Sequence, residues 1–300
     1  MRLSALHSVL CMLLAIALLA VRTSPAEAQD RSSAADRLEI IKESQNPLTR
    51  ELGAVILENT VGFGVGSTDE VSYALNIKPR LPIILNKHLS LINRTSLPVF
   101  NEPSAIGDDL RISGIGDLQH TTLLSPTTGR RVVWGLGPTI GFPTATDDQL
   151  GSEKWLLGPA AIFVYAPRRS VFGLVIQNLW SVGGDADRPE VNKLLLRPLV
   201  NINLPREWYI TSKPNIYANW NASGEDRWIV EAGGGIGKVF RIGRLGIGLE
   251  CQFFGLPVRP EGAARWTARF DIKVLFRRGH FAKRLRKGTQ ADLTSQGIPE

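Results

Sequence analysis

Long apolar runs are missing from this 300-residue sequence once the first 28 residues are passed. No later stretch approaches the roughly 20 apolar residues that a membrane-spanning helix requires. Cysteine is almost as scarce, because the chain holds only Cys11 and Cys251. Cys11 lies inside the N-terminal apolar stretch, so removal of that stretch would leave a single cysteine. This excludes an internal disulfide and a cysteine-rich metal site as sources of stability.

The first 28 residues instead have the three parts of a secretory signal peptide. Arg2 supplies the positive region, residues 9–21 the apolar region, and AEA at 26–28 a cleavage site with small residues. We therefore expect export, cleavage after Ala28 and no helical anchor in the mature chain. A lipid-anchored lipoprotein is excluded, because Cys11 lacks the small neighbours of a lipid-attachment site.

Acidic residues are the minority, with 28 Asp and Glu against 35 Lys and Arg, a formal net charge of +7. The surplus is concentrated after residue 276, in the tail RRGHFAKRLRKG, so the rest of the chain is closer to neutral. A protein that binds nucleic acid would carry its basic surface on the folded body. The distribution therefore argues against a nucleic-acid partner and predicts a basic periplasmic tail.

From residue 52 onward, the chain contains segments of about 10–13 residues in which apolar and polar residues alternate. This alternation is typical of β-strands. Such strands are nearly twice the usual length of about 5–6 residues, and they match the roughly 9–11 tilted residues that cross a bilayer. We predict about twelve strands, at 52–61, 70–82, 89–100, 115–125, 131–142, 155–166, 171–182, 192–204, 208–220, 228–240, 244–254 and 266–276.

The connections between these strands alternate in length. Short ones such as LNKH and PRRS take turns with long ones such as NEPSAIGDDLRISG and PTATDDQLGSEK. Bacterial transmembrane barrels have this arrangement, with tight periplasmic turns, longer outer loops and an even number of strands. The alternative, a soluble β-sandwich, gives no reason for loops to be sorted in this way.

The stretch RVVWGLGPTIGF, residues 131–142, illustrates how the two faces of a strand differ. Its large residues, such as Trp134 and Leu136, point to one face, while Gly135 and Gly137 leave the other nearly bare. The inner face of a closed sheet is crowded, so small residues fit there. The large apolar residues then face lipid.

Together these patterns predict an all-β fold, a single antiparallel transmembrane β-barrel of about twelve strands. The predicted boundaries are a signal peptide at 1–28, an N-terminal linker or helical plug segment at 29–51, the barrel at 52–276 and the basic tail at 277–300. Aromatic residues near strand ends, Phe254 among them, predict the girdles that flank the apolar band of such barrels.

Several runs resemble a known group of bacterial proteins. VSYALNIKPRLPIILN, PTATDDQLGSEKW and LWSVGGDADRPEVN are among them, and the similarity extends from Asn46 to Phe276. The chain resembles the outer-membrane barrel family named for the meta-pathway of phenol degradation, whose members are often labelled transporters. The resemblance implies a closed outer-membrane barrel that passes small organic compounds, and it supplies no catalytic residues. The chain departs from the family by continuing after Phe276 to Glu300.

Charged residues on the predicted inner faces form the candidate functional site. Basic residues outnumber acidic ones, which favours anionic solutes if the lumen is open. The alternative is that these charges pair across the lumen and seal it. The predicted pore-lining residues are Lys78, Arg80, Arg94, Asp117, Lys193, Arg197, Lys213, Glu231, Glu250, Arg269, Asp271 and Lys273.

The predicted function is passive or facilitated transport of small organic compounds, anionic or aromatic ones among them, across the outer membrane. The expected partners are outer-membrane lipid and lipopolysaccharide, the barrel assembly machinery and a small-molecule solute. No catalytic residue, metal or cofactor is expected. A sealed structural or interaction barrel is the alternative.

A barrel lipid hydrolase is a more distant alternative. His88 and Ser90 share a strand face, so an imidazole could meet a hydroxyl, with Asn93 as a candidate orienting group. Against this, His88 lies at a predicted turn and Asn93 has the wrong parity for that face. The isolated His120 is expected to be structural.

Two predicted outer loops, at 147–153 and 185–190, are rich in carboxylates. Carboxylates bind Ca²⁺ when they supply a complete series of ligands, and the spacing here lacks that series. An ordinary acidic surface loop, with Arg188 as an internal partner for the carboxylates, is therefore expected.

Overall fold

The computed structural model describes residues 34–66, 69–104, 110–126, 131–243 and 245–277 of the chain. The predicted signal peptide, the first residues of the predicted linker and residues 278–300 of the predicted tail lie outside the described residues. Within the described ranges, no helix combines the length and the apolar composition that crossing a membrane requires.

A short helix precedes a series of long antiparallel strands. The elements are α1 (Ala34–Gln45), β1 (Leu52–Val65), β2 (Glu70–Ile84), β3 (Leu89–Pro103), β4 (Arg111–Ile115), β5 (Leu118–Pro126), β6 (Val132–Phe142), β7 (Lys154–Tyr165), β8 (Ser170–Gly184), β9 (Asn192–Asn203), β10 (Trp208–Ser212), β11 (Ile216–Asn219), a 3₁₀ turn (Gly224–Arg227), β12 (Trp228–Ile242), β13 (Leu245–Val258) and β14 (Trp266–Arg277).

Twelve barrel strands result from these segments, because two of the strands are interrupted. β4 and β5 pair one after the other with β3, on either side of Gly116 and Asp117. β10 and β11 both pair with β9 and β12, on either side of residues 213–215. The barrel closes where β1 pairs with β14. The predicted antiparallel barrel of twelve strands is confirmed.

The two faces of the strands differ as the alternation predicts. In β6, Trp134 and Leu136 are exposed on the outer surface, whereas Gly135 is buried on the inner face. The predicted girdle position of Phe254 is wrong, because this side chain is 1% exposed and the Arg269 guanidinium lies 4.7 Å from the centre of its ring. Phe254 shares a strand face with inward-pointing residues of β13, so its parity rather than its place near a strand end decides its orientation.

The last turn of α1 and the residues that follow it lie inside the barrel, and we call Ile41–Thr49 the lumenal segment. The Lys42 ammonium donates to the Ala166 carbonyl (3.1 Å), and the Gln45 amide donates to Asn203 Oδ1 (2.7 Å). Ile41 packs in a cluster with inward-facing residues of four strands, namely Ala54, Tyr209, Val239 and Leu275.

Leu48 anchors the other end of the lumenal segment. A Cβ at Gly135 would lie 3.0 Å from a methyl carbon of Leu48, so the bare backbone of β6 gives this side chain its place. The remaining members of its cluster come from β3, β5, β7, β8 and β9: Ile92, Leu123, Ala160, Ile162, Val164, Val171, Val175 and Leu199. We call this inner surface the apolar wall.

Candidate functional site in the barrel lumen

Charged side chains line the part of the lumen that the apolar wall does not occupy. They lie mainly on β1, β2, β9 and β12–β14, with one between β10 and β11. We call them the lumenal charge cluster: Glu58, Lys78, Arg80, Arg94, Arg197, Lys213, Glu231, Glu250, Arg269, Asp271 and Lys273. The lumen is therefore two-sided, with an aliphatic surface on β3–β9 and a charged surface opposite.

Glu250 is the centre of one half of the charge cluster. Its carboxylate accepts hydrogen bonds from the ammonium groups of Lys213 (2.6 Å) and Lys273, and from the phenol of Tyr209 (2.8 Å). Glu250 is 1% exposed, so water cannot solvate its carboxylate. The three donors supply the hydrogen bonds that water would give to an exposed carboxylate.

Glu58 is the centre of the other half. Lys78 donates to one of its oxygens, and Arg197 lies 3.8 Å from the other. Asp271 lies in register between Glu58 and Glu250, and its Oδ1 has no hydrogen-bond partner among the described residues. Glu58 is absent from the predicted pore-lining set, although it shares its strand face with the inward-pointing Ala54 and could have been found by that parity.

Arg269 and Glu231 form an ion pair in which Nη2 of Arg269 donates to both carboxylate oxygens, at 2.8 and 2.9 Å. The pair also bonds the backbone where β10 and β11 are separated. Arg269 donates to the Lys213 carbonyl (2.8 Å), and the Asn215 amide donates to Glu231 (2.7 Å). Side-chain charges thereby satisfy backbone groups that the interrupted ladder leaves free.

Arg80 and Arg94 lie opposite each other on β2 and β3, and neither forms an ion pair with a described carboxylate. Arg80 donates to the backbone carbonyl of Asn46 (2.9 Å), in the lumenal segment. Arg94 has neither a hydrogen bond nor an ion pair to any described residue.

Two predicted pore-lining residues lie apart from the cluster. Asp117 accepts hydrogen bonds from the backbone of Ala145 (3.2 Å) and from the backbone and hydroxyl of Ser152 (2.7 and 2.8 Å). Its carboxylate therefore holds the outer loop between β6 and β7. Lys193 lies four residues before Arg197 on the same face of β9 and is exposed.

His88 and Ser90, the pair of the distant hydrolase alternative, form no hydrogen bond with each other. The Ser90 hydroxyl is fully buried and donates to the Ser125 carbonyl (3.2 Å), whereas His88 lies in the exposed turn before β3. The other ten predicted pore-lining residues, from Lys78 to Lys273, all belong to the lumenal charge cluster.

A hydrogen-bonded group of polar residues lies on the outer surface instead, on the face of β5 that carries the exposed Leu124. His120 contacts the Thr95 hydroxyl through Nδ1 (2.9 Å) and the Thr122 hydroxyl through Nε2 (3.2 Å). Thr122 also donates to Asn93 Oδ1 (2.9 Å). We call these four residues the outer polar cluster. Each satisfies another, which lowers the cost of placing polar groups on an otherwise apolar surface.

Arg188 links the two acidic outer loops to each other, whereas the sequence predicts an internal partner within its own loop. Its guanidinium lies 3.5 Å from the Glu153 carboxylate and donates to the Gly151 carbonyl (2.9 Å). Glu190 accepts from the Ser181 hydroxyl and from Lys154 (3.0 Å), and these contacts lower the pKa of its carboxyl. Among the described residues, no three His, Cys, Asp or Glu side chains are grouped as a metal site would require.

The fold is similar to that of a solved outer-membrane channel, and two further solved structures match with lower scores. The COG4313 outer membrane channel from Pseudomonas putida F1 is 13% identical, with a TM-score of 0.59, and the match covers 77% of this chain and 98% of that one. The NanC porin is 12% identical, with a TM-score of 0.49, covering 74% and 99%. LpxR from Salmonella typhimurium is 9% identical, with a TM-score of 0.43, covering 74% and 99%.

No family model and no curated protein sequence matches the chain. At 13% identity the likeness to the Pseudomonas channel shows the fold alone. The chain is thus an antiparallel barrel with a fold also found in a solved outer-membrane channel.

Proposed function

We propose that the protein is an outer-membrane channel that passes small organic anions. The observation that carries this proposal is the composition of the lumenal charge cluster. Among its described members, seven cations face the four carboxylates Glu58, Glu231, Glu250 and Asp271. A water-filled passage beside this surface would hold anions more strongly than cations.

The outer surface supports a location in a bilayer. Its exposed residues include Trp134, Trp155, Trp180 and Trp266 toward the strand ends, with aliphatic residues between them. Aromatic girdles around an apolar band are typical of barrels in the outer membrane. Lipid and lipopolysaccharide are therefore the proposed surroundings of the barrel.

Ion selectivity in planar bilayers tests the proposal. The chain without its predicted signal peptide, under a KCl gradient, should give a reversal potential displaced toward that of chloride. Arg94→Gln should move this potential toward zero, because it removes a lumenal cation that bonds no described residue. Lys87→Gln, in the exposed turn after β2, removes the same charge outside the lumen and should change nothing.

A cation preference of the unaltered protein, or equal shifts for the two variants, would contradict the proposal. Liposome swelling then identifies the class of solute. Small organic acids should enter faster than neutral sugars of the same size, because the lumenal cations raise the local concentration of anions.

The lumenal segment favours a second candidate function, that of a sealed barrel. Leu48 is 1% exposed and packs against the apolar wall, so the segment narrows the passage. Leu48→Ala should lower the free energy of unfolding by about 2–5 kcal/mol, and in a channel it should also raise the conductance. If the unaltered protein conducts no ions, the sealed barrel is favoured. If the folded Leu48→Ala variant conducts none either, the sealed barrel is favoured further.

A further inference from the structure

The pair formed by Arg80 and Arg94 has no ion pair with a carboxylate of the described residues, and its one acceptor among these residues is the neutral Asn46 carbonyl. Like charges directly opposite each other on neighbouring strands repel, and these two are in register. Arg80 is 5% exposed, and its Nε and Nη2 have no hydrogen-bond partner among the described residues. Buried donors without an acceptor are costly. An anion between the two guanidinium groups would supply the acceptors and oppose the repulsion.

The protein's own carboxylates do not fill this position. Glu43 acts electrostatically on Arg80, but its carboxylate accepts a hydrogen bond from the Thr49 hydroxyl. Glu58 acts electrostatically on Arg94, but its carboxylate accepts a hydrogen bond from Lys78. The positive charge of the arginine pair is therefore not neutralised by a bonded carboxylate of the chain, and an anion from outside the chain could neutralise it.

The apolar wall begins directly beside this pair. Ile92 lies two residues before Arg94 on the same face of β3, in register with Leu123 of β5. The wall continues to Val175, whose register neighbour on β9 is Arg197. A cation thus borders the wall on each side, so a solute with one charged end and one apolar end fits either border.

The lumenal segment already occupies this position with the same two chemical features. The Asn46 carbonyl accepts from Arg80, and two residues later Leu48 lies on the apolar wall. The Leu48 amide donates to Asn46 Oδ1 (2.9 Å), which fixes the turn between them. An oxygen acceptor on an arginine and an aliphatic group on the wall are also what a short carboxylic acid would present.

We propose that the arginine pair and the apolar wall form a binding site for amphipathic organic monoanions, which Asn46–Leu48 occupies when no solute is bound. The proposal rests on the proposed function, since the solute reaches the site through the lumen. The carboxylate lies between Arg80 and Arg94, and the apolar part covers the wall in place of Leu48. A carboxylate bonds guanidinium more strongly than a neutral carbonyl does, so it displaces the segment.

Equilibrium binding tests this site separately from permeation. Isothermal titration calorimetry of the folded protein in detergent, with blank micelles subtracted, would use hexanoate, acetate and 1-hexanol as probes. Hexanoate should bind at least about tenfold more tightly than acetate, because each buried methylene is favourable. Hexanoate should also bind more tightly than 1-hexanol by a similar factor, because only the anion forms charged hydrogen bonds with the arginine pair.

Three variants locate the site. Arg94→Gln should weaken hexanoate binding about tenfold or more, and it leaves no described group without a partner. Lys193→Gln, which removes the same charge from the same lumen away from the pair, should not change it. Leu48→Ala should tighten hexanoate binding and leave acetate unaffected, because it weakens the competitor for the wall only.

Similar affinities for acetate and hexanoate, or unchanged hexanoate binding on Arg94→Gln, would overturn the site. Should Arg94→Gln fail to fold, Leu48→Ala decides, and a variant that binds hexanoate no more tightly would count against displacement. Permeation of hexanoate without saturable binding overturns the site but not the channel. Saturable binding with these changes and no permeation overturns the channel alone.

Discussion

The Tyr209 phenol oxygen lies 2.8 Å from Oε1 of Glu250, and the same ring covers the bare backbone of Gly237. A Cβ at Gly237 would collide with that ring. Gly237→Ala should therefore lower the free energy of unfolding by about 1–3 kcal/mol, as overpacking does, whereas Tyr209→Phe should cost about 1 kcal/mol for one hydrogen bond.

Urea unfolding of the folded barrel in detergent measures both changes. Gly248→Ala is the matched control, because a Cβ there would lie 3.4 Å from Cβ of Lys273, an ordinary contact. Equal losses for the two glycine variants would mean that the tyrosine is not what the bare backbone at Gly237 accommodates.

Glu250→Gln should be the most damaging single change in the lumenal charge cluster. It leaves the ammonium groups of Lys213 and Lys273 facing each other without a carboxylate, and loss of one member of a buried ion pair costs about 3–5 kcal/mol. Bilayer recordings should also show a stronger anion preference. Glu261→Gln, in an exposed outer loop, removes the same charge and should alter neither property.

His120→Ala should destabilise the barrel more than replacement of the whole outer polar cluster by apolar residues. The single change leaves the Thr95 and Thr122 hydroxyls short of partners on the outer surface, at a cost of about 1–3 kcal/mol. Replacing all members together (Thr95→Val, His120→Leu, Thr122→Val and Asn93→Leu) removes donors and acceptors alike. Unfolding of the two variants in lipid vesicles should rank the combined one as more stable.

Acid should release the outer loop that Glu190 holds. The Ser181 hydroxyl and Lys154 lower the pKa of this carboxyl from its ordinary value of 4.5. The ionised Glu190 carboxylate therefore stabilises the loop fully at pH values above the ordinary pKa of 4.5. This stabilisation is lost as the pH falls through the lowered pKa of the folded protein. The protection of amides 185–191 against hydrogen exchange, relative to the intrinsic rate at each pH, should fall in that acidic range. In Glu190→Gln, which cannot ionise, exchange should show no such step.

The strand pattern could be predicted because each strand follows a simple period of two. Every predicted strand overlaps an observed one, and Trp134 and Gly135 lie on the faces that their parity indicates. The interruption at 213–215 could not be found in this way. Lys213 and Asn215 keep the parity of the strand while their backbone groups bond side chains that come from β12 and β14.

The candidate site could be predicted only as a set of inward charges. Periodicity places Arg94 and Glu250 on the same inner surface, but it cannot tell that one bonds no described residue and the other bonds three. Partners across the lumen depend on barrel closure and on which side chains the lumenal segment meets. Asp117 shows the same limit, since its parity is that of the inner face while its partners belong to a loop.

The contact of Arg269 and Glu231 with the backbone at 213–215 has a consequence for attempts to redesign this barrel. On that side, Arg269 and Glu231 contribute charge to the lumen and also bond the backbone of the barrel. Their charge and the backbone shape at 213–215 therefore cannot be varied independently. On the side of Arg94 the two are separate, because no described group depends on that guanidinium. The charge on that side can therefore be changed without redesigning the architecture.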